Sequence, residues 1–181
     1  MTQGLIIVDV QNDYFTGGTM ELVNMSAASE NCKALLENFR NKNAPLFHIQ
    51  HLAAREGATF FIPETKGCEI HSDVTPNDDE PVFVKHFPSA FRGTDLEKEL
   101  KSRGVTEVII CGAMTHMCID TTTRAAFDLG FKCQVIHDAC ATKDLEFNGE
   151  LVKAKDVQNA FMAALSVPFA QIVSTKEYLE S

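Results

Sequence analysis

Three residues far apart in the chain could together run acyl-transfer chemistry: Asp9, Lys85 and Cys118. A thiolate attacks carbonyls, a neighbouring ammonium favours the thiolate, and a carboxylate can take and return the proton. Asp9 lies within the apolar run 4–10 (GLIIVDV), where a carboxylate is costly unless paired. Lys85 ends the run Val82-Phe83-Val84. Cys118 follows the turn-like segment Gly-Ala-Met-Thr-His-Met and opens a helical pattern. There the positive end of a helix stabilises a thiolate, and unpaired N–H groups can hold an oxyanion. Each residue has a plainer reading beside this one. Asp9 could sit in a structural ion pair, Lys85 could snorkel to solvent, and Cys118 could be a small buried filler.

The elements that must position these groups can be read from periodicity. Segments 4–10, 45–50, 81–85, 107–111, 132–137 and 170–174 have the short β-branched pattern of buried strands. Helical spacing covers 26–41, 94–103, 117–129 and 151–166. Thr94 with Glu97 predicts a capping box, and Gly104 and Gly130 close the helices before them. On the 117–129 helix, Cys118, Thr122, Ala125, Ala126 and Leu129 share a face. The segment 51–80, rich in Gly, Pro and Asp, is too long for a plain connection and reads as a lid or binding loop. Alternating strands and helices predict an α/β fold with a parallel sheet covered on both faces. No repeat or linker divides it, so residues 1–181 read as one domain. In such sheets ligands bind at the carboxyl ends of strands, which is where Asp9, Lys85 and Cys118 fall.

Composition narrows the classes. A hydrophobic fraction of 45% over 181 residues can fill one sizeable core. A net charge of −9 repels phosphate backbones, which argues against a nucleic-acid partner. No apolar run reaches a membrane span, and no basic leader precedes the first strand, so a cytoplasmic location with no membrane partner is expected. Six cysteines without a Cys-x-x-Cys pair read as free thiols, not as disulfides or a zinc site. Neither G-x-G-x-x-G nor G-x-x-x-x-G-K-[ST] is present, which argues against nucleotide binding.

Five blocks carry a family resemblance. They are LIIVDVQNDYF (5–15), PETKGCEIH (63–71), VKHFPSAFRGTDLEKEL (84–100), GAMTHMCIDTTTRAAFDLGF (112–131) and HDACAT (137–142). In this order they resemble the isochorismatase-like cysteine hydrolases. That family includes nicotinamidase, N-carbamoylsarcosine amidohydrolase and streptothricin hydrolase, besides isochorismatase. The resemblance implies a three-layer α/β/α, Rossmann-like fold with a six-stranded parallel sheet. It implies an Asp9–Lys85–Cys118 triad, a non-proline cis peptide at Ala113–Met114, and an oxyanion site made by the N–H groups of Met114 and Cys118. The implied activity is hydrolysis of a small-molecule C–N bond, amide, carbamoyl or lactam, through a thioester. It also implies a homo-oligomer, dimer or tetramer. Two other readings stay open: a vinyl ether hydrolase of the isochorismatase type, for which the cysteine is dispensable, and a non-catalytic α/β binding protein.

Metal-binding nicotinamidases carry Asp-x-His after the second strand and a further His downstream. Here the stretch is His48-Ile49-Gln50-His51, with no Asp, and a strand sends His48 and His51 to opposite faces. His71 reads as a loop residue. No metal and no cofactor is therefore expected. Phe15, Phe60, Phe61, Phe87 and Phe91 fall in the motif loops, where they line either an apolar pocket or the core. Gln50, His51 and Glu69 are placed to make polar substrate contacts. Asn12 and Asp13 read as turn-shaping residues, and Asp120 with Arg124 as an i,i+4 ion pair. Cys32, Cys111 and Cys133 read as packing residues; Cys68 and Cys140 have no assignment.

Overall fold

The computed structural model describes residues 2–181. Its elements are β1 (Thr2–Val8), α1 (Met25–Asn41), β2 (Leu46–His51), β3 (Val82–Lys85), α2 (Leu96–Ser102), β4 (Val105–Ala113), α3 (Asp120–Asp128), β5 (Lys132–Ala141), β6 (Leu145–Phe147), β7 (Glu150–Val152), α4 (Ala154–Leu165), β8 (Gln171–Val173) and α5 (Thr175–Leu179). Six strands form one sheet in the order β3-β2-β1-β4-β5-β8, and every pair in it is parallel.

Side-chain alternation along β1 explains the layers. Leu5 and Ile7 face α1, against Ala28, Cys32, Leu35, Leu36 and Phe39. Ile6 and Val8 face the opposite layer, with Leu96 and Leu100 of α2, Ala126 of α3, and Met162 and Leu165 of α4. Both faces of the central strand are thus covered, which is why its sequence is an unbroken apolar run. The chain winds one way from β1 through β2 to β3 and the other way from β4 through β5 to β8. The crevice of this sheet therefore lies at the carboxyl ends of β1 and β4. No helix among the described residues is long and apolar enough to cross a membrane.

Three local expectations differ from the structure. Residues 145–152 form an antiparallel hairpin, and α4 begins only at Ala154. The hairpin turns at Asn148 (φ 53°) and Gly149 (φ 79°), the left-handed pair that suits a two-residue turn. Thr94 makes no capping box: its hydroxyl donates to the Ala90 carbonyl, and α2 starts after Asp95 without a side-chain cap. The reciprocal box occurs at α5 instead, between Ser174 and Glu177. Finally, the Cys118 helix does not start as an α-helix. Residues Thr115–Ile119 form a π turn that runs into α3.

The long segment after β2 is tied to the end of β1 by side chains. The Asp13 carboxylate accepts the Phe61 N–H at 2.6 Å and the Thr19 N–H at 3.3 Å. The Asn12 amide donates to the Lys66 carbonyl at 2.8 Å. Asn12 and Asp13 therefore fix the loop geometry, as their residue types suggest.

Beyond the crevice, Glu80 holds α1, β2 and this segment together. It accepts hydrogen bonds from Arg40 (2.7 Å to each carboxylate oxygen), His48 Nε2 (2.9 Å) and the Asn77 N–H (2.9 Å). Burial pushes its carboxyl up, but these donors outweigh burial and bring it down to about 2. The stability it adds is present above its ordinary value of 4.5 and is lost as pH falls through about 2. Glu80→Gln should therefore lower the urea midpoint at pH 7 and shrink the difference between pH 7 and pH 2.5. Parallel urea titrations of both proteins at the two pH values check this.

Candidate active site

Asp9 follows the last residue of β1. Its backbone has φ 52°, the left-handed region that Asp tolerates better than most residues, so the strand ends there. Its N–H still donates to the Ile49 carbonyl of β2 (3.0 Å), and the side chain is fully buried. Lys85 ends β3, opposite His51 in the parallel register with β2. Cys118 lies in the π turn after β4, a local distortion that recurs at functional sites. Just before it, Gly112 runs against β1 with φ 118°. A Cβ there would lie 2.0 Å from the Val8 carbonyl oxygen, so no other residue fits. The Ala113–Met114 peptide that follows is cis.

The three groups meet at one point. Lys85 Nζ lies 2.7 Å from Asp9 Oδ2 and 3.2 Å from Cys118 Sγ. It also lies 3.0 Å from His51 Nδ1 and 3.1 Å from the Phe87 carbonyl oxygen. An ammonium has three hydrogens. They are shared among four neighbours, of which the Asp9 carboxylate is the nearest. Asp9 Oδ1 has no hydrogen-bond partner, so the carboxylate keeps acceptor capacity beside the thiol, within 4.8 Å of Sγ.

The electrostatics follow from this placement. Burial works against the Lys85 ammonium, but the Asp9 carboxylate and, after it, the Cys118 sulfur outweigh burial and raise its pKa. For Cys118, burial first and then the Asp9 carboxylate push the thiol well above its ordinary range, with Lys85 pulling the other way. The resting group is therefore a thiol, and a helix end does not make it a standing thiolate. Burial and Lys85 lower the His51 imidazole to about 4.

Asp9, His51 and Cys118 are close enough to share a metal ion. The Lys85 ammonium stands among them, bound to Nδ1 and Sγ and paired with the carboxylate, so the donor set is already filled by a cation. His48 points to Glu80 on the other side of its strand. These residues do not fit the metal site of the metal-dependent nicotinamidases described above.

The remaining candidates are spread around this centre. Phe60 packs on Tyr14 and Phe61, and Phe61 in turn lies 5.9 Å from the His51 ring. Phe15 stacks on His71 at 3.7 Å. Phe87 is 40% exposed, with the Arg92 guanidinium 3.6 Å above its ring. The Gln50 amide donates to the Cys68 carbonyl. Glu69 is exposed after a short 3-10 turn, and Phe91 stacks on Phe131 within the second core layer. Arg124 and Asp120 pair as expected, and all six cysteines are free and buried.

Two residues escaped the sequence reading. Gln11 is fully buried and grips the His51 backbone at both ends, accepting its N–H (2.7 Å) and donating to its carbonyl (2.9 Å). Tyr14 is buried in the same shell; its hydroxyl is raised first by burial and then by its nearness to Cys118 and Asp9. Both follow directly on the Asp9 strand, and that adjacency was the available signal.

Comparison with known proteins identifies the family of this fold. The isochorismatase domain family matches residues 3–177. An uncharacterised isochorismatase family protein, YddQ of Bacillus subtilis, is 47% identical over 99% of this chain and 100% of its own. Nicotinamidase 3 of Arabidopsis thaliana is 31% identical over 87% of this chain and 80% of its own. A crystal structure of a candidate isochorismatase hydrolase from Oleispira antarctica superposes with a TM-score of 0.96, at 45% identity over 99% of this chain and 97% of that one. On the match of fold and sequence, this chain belongs to the isochorismatase family of hydrolases.

Proposed function

We propose that residues 1–181 form a cysteine-dependent hydrolase that cleaves a C–N bond, amide, carbamoyl or lactam, in a small molecule. The observation that carries this reading is the Lys85 ammonium hydrogen-bonded to the Cys118 sulfur while paired with Asp9. Similarity to a nicotinamidase supports an amide substrate over a vinyl ether.

The thiol keeps its proton until a carbonyl arrives. As Sγ attacks, the proton passes to Asp9, whose carboxylate lies within 4.8 Å of the sulfur. The Lys85 hydrogen already on the sulfur holds the developing negative charge during transfer. The new oxyanion lies against the N–H groups of Met114 and Cys118. Asp9 then gives the proton to the leaving nitrogen, the C–N bond breaks, and a thioester remains. Water attacks the thioester with Asp9 as base, the acid leaves, and the proton returns to sulfur.

A screen of primary amides, ureido acids and lactams for ammonia or acid release tests this. Cys118→Ala is expected to fold normally and lose roughly 10⁴-fold or more in kcat on any substrate found. Undiminished hydrolysis in Cys118→Ala would overturn the thioester mechanism and favour the vinyl ether reaction.

A further inference from the structure

His51 touches the reacting centre through one nitrogen only. Its Nδ1 lies 3.0 Å from Lys85 Nζ. An ammonium can only donate, so Nδ1 must be the acceptor and carry no hydrogen. In a neutral imidazole the proton then sits on Nε2. The depressed pKa of this ring, from burial and Lys85, keeps it in that neutral form. The tautomer is therefore set by the catalytic lysine.

That Nε2–H has no protein acceptor among the described residues, and it is not among the buried unpartnered side-chain atoms, which are Asp9 Oδ1 and Oδ2, Asn38 Oδ1 and His48 Nδ1. The side chain is only partly buried, which leaves this N–H able to take an outside acceptor. The ring cannot easily turn away. Gln11 holds the His51 backbone on both sides, and Phe61 packs against the ring. A ligand nitrogen of His51 lies within 4.8 Å of both the Cys118 sulfur and an Asp9 oxygen. The His51 ring thus borders the sulfur that a substrate carbonyl must reach.

We propose that His51 is the residue that reads the substrate. Its Nε2–H donates to an acceptor, a carbonyl oxygen or ring nitrogen, carried next to the scissile C–N bond. The inference rests on Cys118 being the nucleophile. It goes beyond that reading by naming the substrate class: small, neutral at the contact point, and bearing an acceptor beside the bond to be cut. A cationic group there would face the Nε2–H donor and, behind it, the Lys85 charge.

The two ring nitrogens can be separated by substitution. Asn at this position keeps an oxygen near Nδ1 for Lys85 and removes the Nε2–H. Gln places an amide N–H near Nε2 and removes the Nδ1 acceptor. The probes are iodoacetamide, which carries a carbonyl acceptor beside its reacting carbon, and 1-iodopropane, which carries none. Alkylation of Cys118 is followed by mass spectrometry.

In His51→Asn the iodoacetamide rate should fall about tenfold, the worth of one neutral hydrogen bond, while the 1-iodopropane rate stays within about twofold. His51→Gln should keep the preference for iodoacetamide even if both rates change. If both reagents slow alike in His51→Asn, His51 acts only through Lys85 and the proposal fails. It fails equally if neither rate changes. If Cys118→Ala hydrolyses an identified substrate as fast as the wild type does, it is the nucleophile assignment that is wrong, and the role of His51 falls with it.

Discussion

Asp9→Asn is expected to abolish hydrolysis while making Cys118 easier to alkylate at neutral pH. The two effects part because Asp9 does two things to the sulfur. In the proposed mechanism it is the base that takes the thiol proton, and its negative charge also helps keep that proton in place. Asn has nearly the same shape, so the crevice is kept. With the base gone, turnover should fall by roughly 10²–10⁴-fold, the usual worth of a positioned general base. With the negative charge gone, Lys85 at 3.2 Å has only the sulfur to neutralise it, and the thiol titrates at lower pH. Ammonia release and iodoacetamide labelling of Cys118, both followed from pH 6 to 10, check this. A labelling profile that stays in place or moves to higher pH would refute the opposing roles assigned to Asp9 and Lys85.

Lys85→Met should cost stability as well as activity. The ammonium and the Asp9 carboxylate are both fully buried, so removing the cation leaves an anion with no partner in a dry site. Breaking such a pair costs about 3–5 kcal/mol. For a chain of this size that is a fall in Tm of roughly 6–20 °C. The sign of the pH dependence follows. Burial without a partner disfavours the charged form of a carboxylate, so the deficit is larger at pH 7.5 than at pH 4. The double variant Asp9→Asn/Lys85→Met should regain most of the lost stability and remain inactive. Calorimetry at pH 4 and pH 7.5 on the single and double variants measures both effects. Equal losses at the two pH values would mean that Lys85 contributes packing and not charge.

The residues legible in the sequence were those whose chemistry conflicts with their surroundings. A carboxylate inside GLIIVDV and a lysine closing a buried strand demand partners, and the parallel alternation says where partners can be. The six strands were likewise visible as apolar runs. What failed was local competition. Leu151 and Val152 fit the helical spacing of the segment behind them, but the Asn148-Gly149 turn folds them back into a hairpin. The turn signal was present and was outweighed by periodicity. The Thr94–Glu97 spacing matched a cap, yet a nearer carbonyl at Ala90 takes the hydroxyl. The π turn at Cys118 leaves no trace in a pattern of period 3.6, because it adds one residue and then resumes the same face. Gln11 and Glu80 act across 40 positions or more (Gln11 on His51 and Cys68, Glu80 on Arg40), and no local pattern encodes such partners.

In the proposed mechanism the sulfur ionises only when a carbonyl is in front of it, and this has a bearing on how long the protein lasts. Peroxide consumes sulfur anions far faster than sulfhydryls. Between turnovers, Cys118 would offer oxidants the less vulnerable form, and only 6% of the residue is exposed. Timing of the reaction and endurance in air would thus come from one arrangement of charge.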